Sequence, residues 1–157
     1  MKEINFLKKI KEQRKLELVD SSEEMKMSYM IKSESNLISA KILLSNERLE
    51  ESVSLAYYSM YHLLNALLIK VGIKSENHTA SIILLKLLFG IDNKDIYESK
   101  KERIDKQYYI DFIITKNDVE DTIKKAERFN AKIVDFISKI SNNDVKDYRK
   151  KFIGILK

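Results

Sequence analysis

The 157-residue sequence contains no proline, no cysteine and no tryptophan, and only three glycines. Without proline, nothing along the chain forces a helix to kink or stop, so long uninterrupted helices are expected. Without cysteine, disulfides, thiolate-held zinc and a thiol nucleophile are excluded, and a reducing, cytoplasmic location is the expectation. Three separated glycines cannot build a glycine-rich phosphate cradle. The two histidines, His62 and His78, belong to no HExxH, and the residues three before them are Ser59 and Ser75 rather than glutamate. That removes the helical di-iron carboxylate pattern and leaves too few donors for a strong transition-metal site. No metal and no cofactor are expected. No stretch of about 18 apolar residues occurs, so no membrane span or membrane partner is expected. The opening MKEINFLKKIKEQ lacks the apolar segment of a secretory signal.

What is present describes a packed domain with a charged surface. Hydrophobic residues make up 44% and charged residues 34%, a balance of globular rather than disordered chains. The length suits one domain with a sizeable core. The net charge of +5 permits a phosphate-bearing partner but does not by itself identify one.

Apolar spacing is helical nearly throughout. A first helix is expected from Ile4 to Leu18. Ser21 with Glu24 offers a capping box for a second, running through Met30, Leu37, Ile38, Lys41 and Leu44 to Asn46. A third spans about Glu47 to Val71 and is ended by Gly72. A short apolar helix from Thr79 to Phe89 closes at Gly90. A charged helix follows from about Asn93 to Tyr109. Asn117 with Glu120 caps a long helix whose apolar residues run from Val119 to Ile140, and a basic terminal helix ends the chain. The one stretch with any strand character is Tyr109 to Thr115. The expected fold is all-α, a bundle of five to seven helices.

Two stretches carry chemistry. In AYYSMYHLLNALLIKVGIKSENHTAS (56–81), Ser54, Tyr58, His62 and Asn65 share one side of the third helix, with Tyr61 beside them. Tyr57 faces the apolar stripe and is expected in the core. The strip either hydrogen-bonds to neighbouring helices or faces a cleft or dimer interface. In ERIDKQYY, Arg103 and Tyr108 stand a little over one turn apart. An arginine there can clamp a phosphate, or simply pair with Glu102 or Asp105 at the surface.

These stretches resemble HEPN domains (higher eukaryotes and prokaryotes nucleotide-binding). Tyr57, Tyr58, Met60, Tyr61, His62, Gly72 and His78 stand where the bacterial and archaeal branch carries its paired-tyrosine helix and the start of the next helix. RIDKQYY resembles that branch's later Arg–Tyr region. The resemblance covers roughly 30–141, leaving the helix within 1–20 and the basic helix within 143–157 as extensions of one domain spanning 1–157. It implies an up-and-down bundle that forms a homodimer and is often paired with a minimal nucleotidyltransferase as a toxin–antitoxin or defence couple. Active members are metal-independent ribonucleases with an arginine and, four to six residues on, a histidine. In some pairs the nucleotidyltransferase adds AMP to a nearby tyrosine. Arg103 is present here, but Tyr108 occupies the histidine position, and a phenol with pKa near 10 is a poor base at neutral pH. Two readings follow. In one, Arg103 and Tyr108 act on RNA, with Tyr58, His62 and Asn65 bordering the same cleft. In the other, the chain is a non-catalytic nucleotide-binding or docking partner of the nucleotidyltransferase, modified at Tyr108 or Tyr109.

Overall fold

The computed structural model describes the backbone of residues 1–108 and 113–157, and the side chains of 1–103 and 113–157. Among these, seven helices and one small sheet follow in the order α1 (Lys2–Glu12), β1 (Leu16–Leu18), α2 (Glu23–Ser45), α3 (Leu49–Lys70), β2 (Ile73–Ser75), α4 (His78–Phe89), α5 (Lys94–Tyr108), α6 (Lys116–Lys139) and α7 (Asn142–Ile155). The fold is an all-α bundle.

Helix ends follow local chemistry. Ser22, not Ser21, caps α2, its hydroxyl accepting from Met25 N–H at 3.1 Å. Thr115 and Asp118 form a reciprocal capping box on α6, two residues before the expected Asn117–Glu120 pair. Ser141 and Asp144 do the same for α7. Asn77 caps α4, and Gly90 ends it in the left-handed region at φ +67°.

Helix α3 is the centre of the bundle, in contact with α2, α4, α5, α6 and β2. Thirteen of its 22 residues are buried, more than a single apolar stripe supplies, so it is covered on most sides. Its neighbour α2 approaches it along small residues. Ser33 Oγ donates to Ser59 O at 2.6 Å, and Ser59 Oγ donates back to Ser33 O at 2.8 Å. Ser52 Oγ donates to Ala40 O at 2.6 Å further along. Asn130 of α6 donates to Ser59 Oγ at 2.8 Å, so one polar node ties three helices. The expected apolar face of α2 is shifted: Ile38 is 53% exposed, while Ser33 and Ala40 are the buried positions.

The first helix ends at Glu12 rather than Leu18. Arg14 takes a left-handed conformation at φ +57° and turns the chain, so Leu16–Leu18 becomes a strand. It pairs antiparallel with Ile73–Ser75, Leu16 opposite Ser75 and Leu18 opposite Ile73. Neither strand is expected from the sequence, because three residues are too few to show a period of two. Of the stretch 109–115 expected to have strand character, residues 113–115 carry none, and the remainder lies outside the described residues.

The terminal segments share the main core. Leu7, Ile10, Leu16, Phe152 and Leu156 are buried in the same cluster as Met60, Leu64 and Leu85. Basic residues of α7 serve as backbone caps. Arg149 Nη1 meets the carbonyls of Val19, Val71 and Gly72 at 2.7, 3.2 and 3.0 Å, and Lys151 donates to Leu88 O at 2.9 Å. Gly72, at φ +75°, leaves the space Arg149 needs: a Cβ there would lie 1.9 Å from Nη1 and 2.5 Å from Val19 O.

Replacing Arg149 with alanine is expected to lower unfolding free energy by about 2–3 kcal/mol, since charged donors to buried carbonyls are worth more than neutral ones. Gly72→Ala is expected to cost at least as much, through its positive φ and the overlap. Urea unfolding midpoints check both, and wild-type midpoints would show that α7 does not brace the small sheet.

Candidate functional site

The middle of α3 presents rings because Tyr57, Tyr58, Tyr61 and His62 occupy consecutive turns (spacing one, three and one) on two adjoining faces. Tyr57 is fully buried, as its place beside the apolar stripe requires, and Tyr61 is nearly so. Tyr58 and His62 are half-buried at the edge of the bundle. His62 stacks between Tyr58 and Tyr29 of α2, with centroids 6.0 and 6.2 Å away.

Two other helices complete the cluster. The β2 strand delivers the start of α4, and its first residue, His78, lies flat on Tyr61 with centroids 3.8 Å apart. Tyr57 Oη and His78 Nδ1 are 2.7 Å apart. Burial pushes the Tyr57 phenol well above its ordinary pKa, so it stays protonated, and a fully buried hydroxyl needs an acceptor. We therefore assign Tyr57 as donor to Nδ1, which leaves Nε2 of His78 to meet a ligand. From α5, Arg103 lays its guanidinium over Tyr58 and Tyr57, at 4.7 and 5.6 Å from the ring centroids.

The electrostatics favour an anion. Burial pushes His78 down to about 4, and Arg103, Lys100 and His62 add to the effect. His62 is also pushed to about 4, by burial and then by Lys32. Lys100 is lowered by burial and by Arg103. The imidazoles are thus neutral at pH 7 and stand among three cations. Two buried polar atoms here, Arg103 Nε and His62 Nδ1, have no hydrogen-bond partner among the described residues. Unpaired buried donors and acceptors are costly, and a bound phosphate oxygen would satisfy the arginine.

Of the residues singled out from the sequence, Tyr58, His62 and Arg103 are brought together. Asn65 lies beside the Tyr61 hydroxyl and lines a cavity of about 250 Å³ with Tyr29, Lys74 and Glu76. Ser54 lines a cavity with Tyr58, Glu50 and Glu51, so two carboxylates border the site on that side. Tyr108 is the last residue of α5, but its side chain lies outside the described residues, as does all of Tyr109. The sequence reading gave His78 no role in the site. Its signal was its match to the family's start of the next helix, and nothing local places it against Tyr57 and Arg103.

No helix among the described residues is long and apolar enough to cross a membrane. The HEPN domain family model matches residues 27–137. A curated relative, a UPF0332 protein of Pyrococcus horikoshii, is 41% identical over 71 residues, covering 45% of this chain and 49% of its own length. The aligned stretch thus spans about half of that relative.

Because both imidazoles titrate lower in the fold than in the unfolded chain, the unfolded state binds more protons between about pH 6.5 and 4. The stability they contribute is complete above pH 6.5 and is lost as pH falls towards 4. Melting temperature is expected to drop already between pH 6.5 and 5, before most carboxylates titrate. His62→Gln combined with His78→Gln should flatten that slope, and an unchanged slope would rule the imidazoles out as its source.

Proposed function

Since the chain belongs to the HEPN domain family, a family of nucleotide- and RNA-related function, we propose that it acts on RNA as the toxin-type or defence component of a pair, in the cytoplasm. The observation that supports this reading best is Arg103, held over two tyrosine rings with a buried unpaired Nε and a neutral histidine beside it. In this reading Arg103 binds the phosphodiester and stabilises charge that develops on its oxygens. Tyr58 supports the guanidinium face-on. His78, whose Nδ1 accepts from Tyr57, donates to the phosphate through Nε2–H. His62 lines the entrance beside Lys32, and Tyr108 follows on the same helix.

Cleavage would be metal-independent, with the 2′-oxygen attacking phosphorus and the 5′-oxygen leaving. Its weak element is the base, because Nδ1 of His78 is taken by Tyr57 and Nε2 already carries the ring proton, and an imidazole with pKa near 4 takes up a second proton poorly at pH 7. That property supports a second reading, in which the same cleft only binds a nucleotide or RNA, and a minimal nucleotidyltransferase partner docks and transfers AMP to Tyr108 or Tyr109.

HEPN domains commonly dimerise. On the outer face of α2, Met27, Ile31, Ile38 and Ile42 are about half exposed or more and fall on one stripe. We assign this stripe to a second copy, which would remove it from water. Sedimentation should find a dimer, and Ile31→Glu with Ile38→Glu should yield a folded monomer. A dimer that survives both changes would move the interface elsewhere.

Incubation of a mixed RNA pool with the purified protein in EDTA separates the two readings. Cleavage that falls by about 10²–10³-fold in Arg103→Ala, and strongly in His78→Gln, is the expected result. RNA left intact but retained on the wild-type protein, together with an AMP mass increment on Tyr108 or Tyr109 after co-expression with the partner, would favour the binding module. No cleavage, no retention of RNA or nucleotide and no AMP increment would together overturn both.

A further inference from the structure

Resting on the phosphate reading of Arg103, we propose that the cleft between α4 and α5 is a nucleobase subsite, closed by the first turn of α1 and selective for a base that presents paired N–H donors, guanine above all. The cleft is a cavity of about 330 Å³, within the usual range of small-ligand sites. Its geometry continues that of the phosphate site. Thr79 on its α4 wall directly follows His78, and Lys100 on its α5 wall lies one turn before Arg103. Lys100 and Arg103 also both act on His78, so Lys100 links the cleft to the anion position.

The lining carries the chemistry of base recognition. Ile82 and Ile83 form an apolar floor. Tyr97 stands at the rim with 58% of its surface exposed, a ring with no burial to justify it and one free face for stacking. Stacking of this kind is tolerant of base identity. Selectivity comes from acceptors. Asn93 donates one amide N–H to Ile82 O at 2.9 Å, which fixes the side chain, and its carbonyl oxygen is the acceptor it can offer a ligand. Glu3 of α1 adds a carboxylate, whose two oxygens match the adjacent ring N–H and amino group of guanine. Uracil offers a single N–H and no amino group. Lys100, half-buried on the α5 wall and acting on His78, is placed to meet the sugar–phosphate rather than the base.

The probes are guanosine 3′-monophosphate, uridine 3′-monophosphate and ribose 5-phosphate, each titrated into the full chain by calorimetry. The expected order is guanosine over uridine over ribose phosphate, with at least about fivefold between the first and last, as one stacked base provides. Glu3→Gln should bring the guanosine nucleotide to the uridine value without changing ribose phosphate. Tyr97→Ala should bring both nucleotides towards ribose phosphate, and Tyr97→Phe should restore them. Arg103→Ala should weaken all three. Equal affinities for the three ligands, all weakened by Arg103→Ala, would overturn the subsite and leave the phosphate site standing. No binding of any probe, or binding indifferent to Arg103→Ala, would overturn the phosphate reading and the subsite with it.

Discussion

The bundle depends on how closely α2 can approach α3. Ser33 and Ser59 exchange hydroxyl-to-carbonyl bonds across the two helices, an arrangement open only to side chains short enough to reach the facing backbone. Ala40 and Ser52 repeat the close contact, and Asn130 brings α6 onto the same node. Larger residues at these positions would separate the helices and leave buried hydroxyls or carbonyls unpaired. With α2 and α6 held there, α3 has no freedom to rotate, and the tyrosines and His62 are fixed at one edge of the bundle.

That edge works by a balance between burial and charge. Rings pack Tyr57, Tyr61 and His78 against one another, and the loss of water keeps the phenol protonated and the imidazole neutral. Arg103 lies on the tyrosine faces and keeps an unpaired Nε. The result is a cationic point flanked by neutral donors. Such a site binds phosphate without offering a strong base, which is why binding follows from it more directly than cleavage does.

The segments outside the family match brace this site from a distance. The β1–β2 pair sets the path between α3 and α4, and thereby the position of His78. Arg149 of α7 fastens both the end of α3 and the residue after β1 by their carbonyls. Helix α1 packs Leu7 and Ile10 into the common core and leaves Glu3 at the mouth of the cleft beside α4.

The sequence by itself determined the helical class, the number of helices within its expected range, the glycine stops at 72 and 90, the burial of Tyr57 and the family. Each of these is written in local spacing, in a backbone conformation only glycine readily adopts, or in a contiguous motif. Cap positions came out one or two residues away, because Ser, Thr, Asn and Asp crowd the same turns and packing selects among them. The tertiary structure alone decided the rest. His78 was brought to the tyrosines and Arg103, although its place at the start of a helix is compatible with other outcomes. The small two-stranded sheet arose from pairing between strands more than fifty residues apart. A side chain's helical face follows from its own neighbours in sequence. Which helix lies opposite follows from packing at a distance, and no local pattern encodes it.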